Sequence, residues 1–311
     1  KDIKLPARKK DSKKGDNGRV LVIGGSREYV GAVALAGLAA LRSGVDWVTV
    51  AVPEKVGWAI NALSPDLVVK KYKGDDFCAS RAKDVLKFEK NFDAVLIGNG
   101  IGMHAKSFVN KYVKETKKPL VIDADGIKNS NASIIKNSII TPHIKELEIF
   151  MKNSKINKKI IKKIVNEKNV QKRALLIKKT MESSNINERT IIKKSTLIKN
   201  AMKNINNIKN NKNFFEKNNI ILLKGPIDTI ISKNKIKYNK TGNAGMTKAG
   251  TGDVLAGLCV GFLGQGLSLL QSAINAAYFN GLVGDILLKK KKGFTYLASD
   301  MVEEIKRVLG K

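Results

Sequence analysis

A glycine-rich run that leads into an apolar helix is the part of the chain best suited to chemistry. It spans residues 241–258 and reads TGNAGMTKAGTGDVLAGL. Glycines in such a run permit positive φ and a close approach of the backbone to a ligand. The helix that follows points free N–H groups and the positive end of its dipole at the loop, which makes an anion site. We therefore predict that the run from Gly250 to Gly252 is an anion site that handles phosphate.

Asp253 lies at the same helix N-terminus, where its carboxylate would repel a bound phosphate. The position makes chemical sense if Asp253 takes a proton from an attacking hydroxyl while the amides stabilise the transferring phosphoryl group. The alternative is an N-capping aspartate after a flexible loop. The long glycine-rich context favours the first interpretation.

Further polar residues follow apolar runs elsewhere in the chain. Asp123 and Asp125 end one such run, and His143 and Glu146 follow the next. In open α/β sheets ligands bind outside the carboxyl ends of strands, so these residues are candidates for substrate or Mg²⁺ contacts, Glu146 through water. Each has a structural alternative: turn carboxylates for the aspartates, a first-turn acid for Glu146 and a turn histidine for His143.

The elements that must position these residues alternate along the chain. Predicted strands cover residues 19–23, 47–52, 93–97, 120–122, 139–140 and 220–223, with 229–232 as a hairpin partner of the last; predicted helices cover 31–43 and 107–116, and the chain is mainly helical from 253 onwards. This β-α-β order implies parallel strands with right-handed crossovers. We predict an α/β fold of three layers, α/β/α, around a mostly parallel central sheet.

Residues 151–217 interrupt this rhythm and are rich in Lys, Asn and Ile. They hold nineteen Lys and Arg against four Asp and Glu, about half of the net charge of +31. Ile156, Ile160, Ile161 and Ile164 keep a helical period, which predicts one or two surface helices joined by poorly ordered connections. The basicity is therefore regional, and without a nucleic-acid-binding motif or an aromatic stacking platform no specific nucleic acid is expected as a partner.

Composition also restricts the compartment. No apolar run reaches the roughly 18 residues that suggest a membrane span, and the charged N-terminus is not a signal peptide. Cys78 and Cys259 lie far apart in sequence, so neither a disulfide framework nor structural zinc is expected. These features predict a cytoplasmic enzyme with no membrane partner.

The glycine-rich run does more than suggest a generic anion site. Its segment GNAGMTKAGTGDVLAG closely resembles the signature of ADP- or ATP-dependent NAD(P)H-hydrate dehydratases, which have the ribokinase-like fold. Further motifs occur in that family's order: KGDNGRVLVIGGS, GAVALAGLAALRSG, VTVAVPE, LIGNGIG, LVIDADGI, TPHIKEL and LLKG. The resemblance covers about residues 5–150 and 220–308. It implies a single ribokinase-like domain over residues 1–311, with an insertion at about 151–217.

The resemblance also implies a reaction, a carbon–oxygen lysis in metabolite repair. ADP or ATP phosphorylates the hydroxyl of the hydrated nicotinamide ring of NADHX or NADPHX, and phosphate then leaves by elimination to restore NADH or NADPH. Mg²⁺ accompanies the nucleotide, with no direct protein ligand.

Site roles carry over from the family by position in this sequence. Asp253 is the base and Gly250, Thr251 and Gly252 are the anion hole; Ala32, Gly102 and His143, with Asp253, line the hydrated dinucleotide's site; Lys224, Gly225, Pro226, Ile227 and Asp228, with Gly252, hold the adenine nucleotide. The resemblance further implies a homo-oligomer and, as functional partner, an NAD(P)H-hydrate epimerase. Some members carry that epimerase upstream, and the missing initiator Met is consistent with such a domain having been removed.

The sequence departs from the family's pattern near the nucleotide. Ala249-Gly250 stands where two glycines are usual, and Lys248 is expected to add positive charge near the phosphates. The loop of residues 224–228 is more rigid and more acidic than usual. The nearest alternative function is a ribokinase-like kinase of a vitamin-precursor alcohol, which would use the same base and anion hole; the N-terminal motifs favour the dehydratase. The composition is typical of a prokaryote with an AT-rich genome, which favours ADP over ATP.

Overall fold

A twisted sheet forms the middle layer of the molecule, a computed structural model that describes residues 2–183, 213–291 and 293–310. Its strands are β1 (Arg19–Ile23), β2 (Trp47–Pro53), β3 (Val68–Tyr72), β4 (Ala94–Ile97), β5 (Leu120–Ile122), β6 (Ser138–Ile140), β7 (Ile220–Leu223), β8 (Asp228–Ile231) and β9 (Ile236–Asn239). They are ordered β3-β2-β1-β4-β5-β6-β7-β8-β9. Strands β1 to β7 run parallel, whereas β8 and β9 are antiparallel to their neighbours.

The interior strands are apolar because both of their faces are covered. In β1, Val20 and Val22 point into the core on one side of the sheet, while Leu21 and Ile23 point into the core on the other side. All four are inaccessible to solvent. The outermost strand β3 instead reads VVKKY and carries charge, as exposed edge strands commonly do.

Helices cover both faces of the sheet and complete the predicted three layers. One layer contains α1 (Val30–Arg42), α2 (Glu54–Leu63), α9 (Thr251–Gly264), α10 (Leu269–Lys290) and α11 (Ala298–Leu309). The other contains α3 (Arg81–Phe88), α4 (Lys106–Glu115), α5 (Asp125–Lys128), α6 (Ile144–Asn153), α7 (Lys158–Asn166) and α8 (Val170–Glu182). In the described part of the chain, no helix has both the length and the apolar character needed to cross a membrane.

Each strand and helix given bounds by the sequence prediction is present within one residue of those bounds. Gly44 follows α1 with a φ of +109°, as expected for a glycine that ends a helix. The prediction omitted α2, β3, α3, α5 and β9 and gave no bounds for α6. The α/β fold with a mostly parallel central sheet is confirmed.

The Lys- and Asn-rich region contributes two helices, α7 and α8, to the described structure. Their outer faces are charged, but Ile161, Ile164, Ile177 and Met181 are buried in the core beside α6. Asn157 and Asn169 cap the two helices through their side-chain oxygens. The predicted poorly ordered connections at residues 184–212 lie outside the described residues.

Helix α9 carries the glycine-rich run to the sheet edge because it packs closely on α1. Gly257 and Gly261 face that helix, where a Cβ on Gly257 would lie 2.8 Å from Cβ of Ala39 and one on Gly261 would lie 2.8 Å from Cβ of Ser43. Nearly every residue of α9 after Asp253 is buried. The first turn of α9 is thereby fixed at the carboxyl ends of the parallel strands.

Candidate active site

Four polar side chains follow four neighbouring strands and converge at one edge of the sheet. Asn99 follows β4, Asp123 follows β5, Thr141 follows β6 and Lys224 follows β7. Because these strands are adjacent and parallel, their carboxyl ends bring together residues that are far apart in sequence. All but Lys224 are almost fully buried, and the Lys224 side chain is 19% exposed.

Lys224 is the positive centre of this cluster. Its Nζ lies 2.9 Å from Oδ1 of Asp123 and 3.6 Å from Oε2 of Glu146. Thr141 donates from Oγ1 to the same Oδ1 of Asp123 at 2.7 Å. Burial by itself would lower the pKa of Lys224, but the two carboxylates outweigh it and raise the pKa above its ordinary value. Lys224 is therefore a fixed cation that neutralises part of a buried acidic cluster.

Asn99 joins Asp123 to Asp253. Its Nδ2 donates to Oδ2 of Asp123 at 2.9 Å and to Oδ1 of Asp253 at 2.6 Å. One amide group thus separates two carboxylates that would otherwise face each other. Sequence reasoning did not single out Asn99 or Thr141, although both stand at strand ends where such residues are expected.

Asp253 lies in the first turn of α9, partly buried. Burial and the nearby charge of Asp123 raise its pKa to about 7, although the hydrogen bond from Asn99 and the charge of Lys224 act in the opposite direction. A carboxylate that titrates near neutrality is suited to accept a proton from a hydroxyl. The predicted base is thus in the electrostatic setting that general-base chemistry requires.

The predicted anion hole surrounds the start of α9. Gly250 has a φ of +93° and precedes the helix, a backbone conformation that favours glycine. Thr251 uses its hydroxyl to tie the loop, donating to the carbonyl oxygens of Met246 at 2.7 Å and Lys248 at 2.9 Å. Among the described residues the N–H groups of Gly252 and Asp253 have no hydrogen-bond acceptor, as is usual in the first turn of a helix. A Cβ on Gly252 would lie 3.4 Å from Nζ of Lys224, so a cation lies beside these amides.

The glycine-rich loop is held from outside the site. Asp285 of α10 accepts from the Gly242 N–H at 3.0 Å and from Asn243 Nδ2 at 3.1 Å. Tyr296 donates to Oδ1 of Asn243 at 2.6 Å. The ammonium of Lys248 binds the carbonyl oxygens of Phe294 and Tyr296, the latter at 2.8 Å. Lys248 therefore fastens this loop to the segment before α11, whereas the sequence suggested that its charge would serve the phosphates.

The residues predicted to line the dinucleotide's site lie along the same edge. Ala32 Cβ would be 3.2 Å from a Cβ on Gly100, which places the start of α1 beside the loop after β4. Gly102, with a φ of +80°, donates from its N–H to Asp125 at 3.1 Å and accepts from Asn129 Nδ2 at 3.2 Å. These bonds fix the shape of the loop. Because residue 102 is a glycine, no side chain covers the loop at this point.

His143 caps α6. Its Nδ1 accepts from the N–H groups of Lys145 at 3.2 Å and Glu146 at 3.3 Å, and Glu146 in turn accepts from the His143 N–H at 2.9 Å. Burial lowers the pKa of His143, and the cations Lys224 and Lys128 act in the same direction, while the carboxylate of Glu146 opposes them. The side chain is still 49% exposed, and its Nε2 lies 3.5 Å from Oε1 of Glu146.

The predicted nucleotide loop is the turn between β7 and β8. Gly225 and Pro226 are exposed at its tip, and Ile227 is partly buried. Asp228 closes the turn: its carboxylate accepts from the Gly225 N–H and from Asn239 Nδ2, each at 3.1 Å. Burial raises the pKa of Asp228 to about 6. The carboxylate that makes this loop more acidic than usual is thus held by two hydrogen bonds, one from Gly225 in the turn and one from Asn239 of β9.

The oxygen donors at this edge suit a hard cation such as Mg²⁺. Among the described residues, however, no group of three or more His, Cys, Asp or Glu side chains is arranged to hold a metal ion. The ammonium of Lys224 already binds the Asp123 carboxylate, and the backbone N–H of His143 already donates to the Glu146 carboxylate. The predicted role of Glu146, a contact to Mg²⁺ through water, stays a prediction.

Comparison with solved structures identifies the fold as ribokinase-like. The ADP/ATP-dependent NAD(P)H-hydrate dehydratase from Bacillus subtilis, co-crystallized with ATP/Mg²⁺, superposes with a TM-score of 0.72 at 24% identity, covering 98% of this chain and 94% of that one. Ribokinase from Arabidopsis thaliana, complexed with ribose and ATP, gives a TM-score of 0.53 at 10% identity and 94% coverage of this chain.

Sequence comparison defines the family within that fold. The family model described as NAD(P)H-hydrate dehydratase matches residues 20–195 and 195–307, and the chain therefore belongs to this family. The ADP-dependent (S)-NAD(P)H-hydrate dehydratase of Cenarchaeum symbiosum is 29% identical, over 98% of this chain and 93% of that protein. The bifunctional NAD(P)H-hydrate repair enzyme Nnr of Methanothermobacter thermautotrophicus is 35% identical over 99% of this chain. The chain spans about half of that relative's length, 52%.

Proposed function

We propose that the chain dehydrates the hydrated nicotinamide ring of NADHX and NADPHX at the expense of a nucleotide, restoring NADH and NADPH while ADP is converted to AMP and phosphate. The observation that carries this proposal is the position of Asp253. Its carboxylate stands at the N-terminus of α9, beside the unpaired N–H groups of Gly252 and Asp253 and near Lys224. A base and an anion site within one helical turn are what phosphoryl transfer to a hydroxyl requires.

In the first step Asp253 accepts the proton of the ring hydroxyl. The freed oxygen attacks the terminal phosphorus of ADP, the phosphoanhydride bond breaks, and AMP departs with the bond's electron pair. The helical amides and Lys224 stabilise negative charge on the transferring group. Mg²⁺, when bound, neutralises charge on the phosphate oxygens.

In the second step the new phosphate ester is eliminated. The carbon–oxygen bond to phosphate breaks as a proton leaves the neighbouring ring carbon, and the ring double bond re-forms. Phosphate is a good leaving group where hydroxide is a poor one, which explains why a nucleotide is consumed to remove water. Ala32, Gly102 and His143 would hold the dinucleotide along the rim, and the turn of residues 224–228 would hold the adenine nucleotide beside Gly252.

The deciding experiment is the recovery of absorbance at 340 nm when the protein is incubated with hydrated NADH, Mg²⁺ and either ADP or ATP. We expect recovery, faster with ADP. Asp253→Asn should lower turnover by about 10²–10⁴-fold, the usual contribution of a general base, and should still bind ADP. Asp66→Asn, which changes an exposed carboxylate, is the matched control.

Two outcomes would contradict the proposal. No recovery with either nucleotide would exclude the dehydratase reaction, and accumulation of a phosphorylated alcohol from another substrate would favour the kinase alternative. Wild-type rates in the Asp253→Asn variant would remove Asp253 from the mechanism.

The same proposal implies partners and a compartment. An NAD(P)H-hydrate epimerase is the expected functional partner, which is consistent with a relative of twice the length being named a bifunctional repair enzyme. A homo-oligomer in the cytoplasm is expected, and size-exclusion chromatography with light scattering would test the oligomer.

A further inference from the structure

Asn99 is a buried polar residue whose Nδ2 has two hydrogen-bond partners and whose Oδ1 has none among the described residues. Its side chain is inaccessible to solvent. It stands between Gly98 and Gly100, whose φ values of +122° and +65° fix the loop, and its carbonyl oxygen accepts from the Gly25 N–H at 2.9 Å. The backbone on both sides therefore determines where the amide points, and the amide points at two carboxylates.

Both hydrogens of the Asn99 amide are used. One is donated to Oδ2 of Asp123 and the other to Oδ1 of Asp253. The other oxygen of Asp123, Oδ1, accepts hydrogen bonds from Lys224 and Thr141. In the described part of the chain, the Asp253 carboxylate accepts its hydrogen bond from Asn99. Two carboxylates in direct contact would share a proton, whereas the intervening donor favours the ionised form of Asp253.

We propose that Asn99 is a positioning residue for the reaction: it orients the Asp253 carboxylate at the start of α9 and keeps it ionised beside the buried charge of Asp123. The proposal rests on the proposed function only in its kinetic part, because the ionisation of Asp253 can be measured without substrate. Asn99 acts through Asp253 and has no role of its own in bond making.

The charges around Asp253 explain why this donor matters. Asp123 and Glu146 disfavour the ionised form, Lys224 favours it, and burial disfavours it most. The hydrogen bond from Asn99 is the largest of the favourable contributions. Removing the donor leaves Lys224 alone to oppose two carboxylates and burial, so the carboxyl group should hold its proton to higher pH.

The test compares Asn99→Leu, which keeps the branched shape and the number of side-chain heavy atoms but removes the donor, with Asn129→Leu. Asn129 is also a buried amide beside this loop, but it bonds the Gly102 carbonyl and not Asp253. In ¹³C-aspartate-labelled protein, assigned with Asp253→Asn, we expect the Asp253 titration midpoint to rise by about 1–2 pH units in Asn99→Leu. It should stay in place in Asn129→Leu.

In the dehydratase assay, the midpoint of the acid limb of the kcat/KM profile should shift to higher pH by the same amount. Activity at pH 6 should therefore fall about 10- to 100-fold and recover toward pH 9. The KM for ADP should change little. Asn99→Asp, which removes the donor and adds a charge, should shift the limb at least as far and serves if Asn99→Leu does not fold.

An Asp253 titration that is unchanged in the folded variants would overturn the proposal, whatever the activity. A shifted titration without any dehydratase activity in the wild type would leave Asn99's role standing and contradict the proposed function instead. A loss of kcat/KM that is uniform across pH would also overturn the proposal, because it would indicate a purely structural role.

Discussion

Gly257 of α9 packs directly on the backbone of Ala36 of α1, so that a methyl group at position 257 would overlap the Ala36 carbonyl oxygen. This contact sets the distance between the two helices and with it the position of Asp253 one turn earlier in α9. The glycine at 257 is thus part of the site's construction although it touches no reacting group.

Gly257→Ala should therefore lower the free energy of unfolding by about 3 kcal/mol or more, since the backbone of α1 cannot yield as a side chain would. The matched control is Gly31→Ala in the first turn of α1, where a Cβ meets no atom within 4 Å. That change should stabilise the protein by up to about 1 kcal/mol. Urea unfolding of both variants checks the prediction, and equal stabilities would contradict it.

The pKa of Asp253 predicts the pH dependence of catalysis. Burial and the charge of Asp123 raise that pKa to about 7, so the carboxyl group is protonated below pH 7 and ionised above it. Because the base must be ionised, kcat/KM should fall about tenfold per pH unit below the limb and level off above it. A profile of kcat/KM from pH 5 to 9 measures this; an acid limb near pH 4 would show that the free enzyme's base is not so perturbed.

Lys248 can be tested for two different roles, holding the glycine-rich loop in place and binding the nucleotide's phosphates. Its ammonium binds the carbonyl oxygens of Phe294 and Tyr296, so Lys248→Met should lower the free energy of unfolding by about 1–3 kcal/mol. The KM for ADP should change by less than about threefold, since the ammonium is engaged away from the anion hole. Lys240→Met, at an exposed position before the same loop, is the control. A large rise in the KM for ADP at wild-type stability would restore the phosphate role.

The residues that flank the stretch 184–212 lie close together, which predicts that the stretch can be removed. Phe214 donates from its N–H to the carbonyl oxygen of Met181 at 3.3 Å, so the chain leaves and re-enters the described structure at one place. Joining Ser183 to Asn213 by a short Gly-Ser linker should preserve the melting temperature and activity, because closing a short loop costs little. Deleting residues 158–212 should instead prevent folding, since Ile161, Ile164 and Ile177 belong to the core. Loss of folding in the shorter deletion would contradict this prediction.

The fold was largely predictable because the interior parallel strands are short apolar runs that end in glycine or polar residues. Runs such as residues 120–122 and 220–223 could be located to the residue. The edge strands β3 and β9 were missed because VVKKY and IKYN are charged and only partly buried, so they lack that pattern.

The site was predictable in its parts but not in its connections. Asp253 and the anion hole follow from a local pattern, and Lys224 follows from its place after a strand. The bridge from Asn99 to Asp253 joins residues 154 positions apart. It depends on strand order, which no local pattern reveals, and the sequence GNG around Asn99 indicates only a turn.

The packing of α9 on α1 has a consequence for the synthesis of the protein on the ribosome. On the ribosome, α1 is made more than 200 residues before α9, so the surface around Ala36 and Ala40 that Gly257 and Gly261 cover is exposed until α9 follows. The nascent chain carries this exposed apolar surface during that interval, a state in which proteins are prone to aggregate and to recruit chaperones. Asp253 cannot reach the sheet edge during that interval, since it belongs to the same late helix that covers this surface.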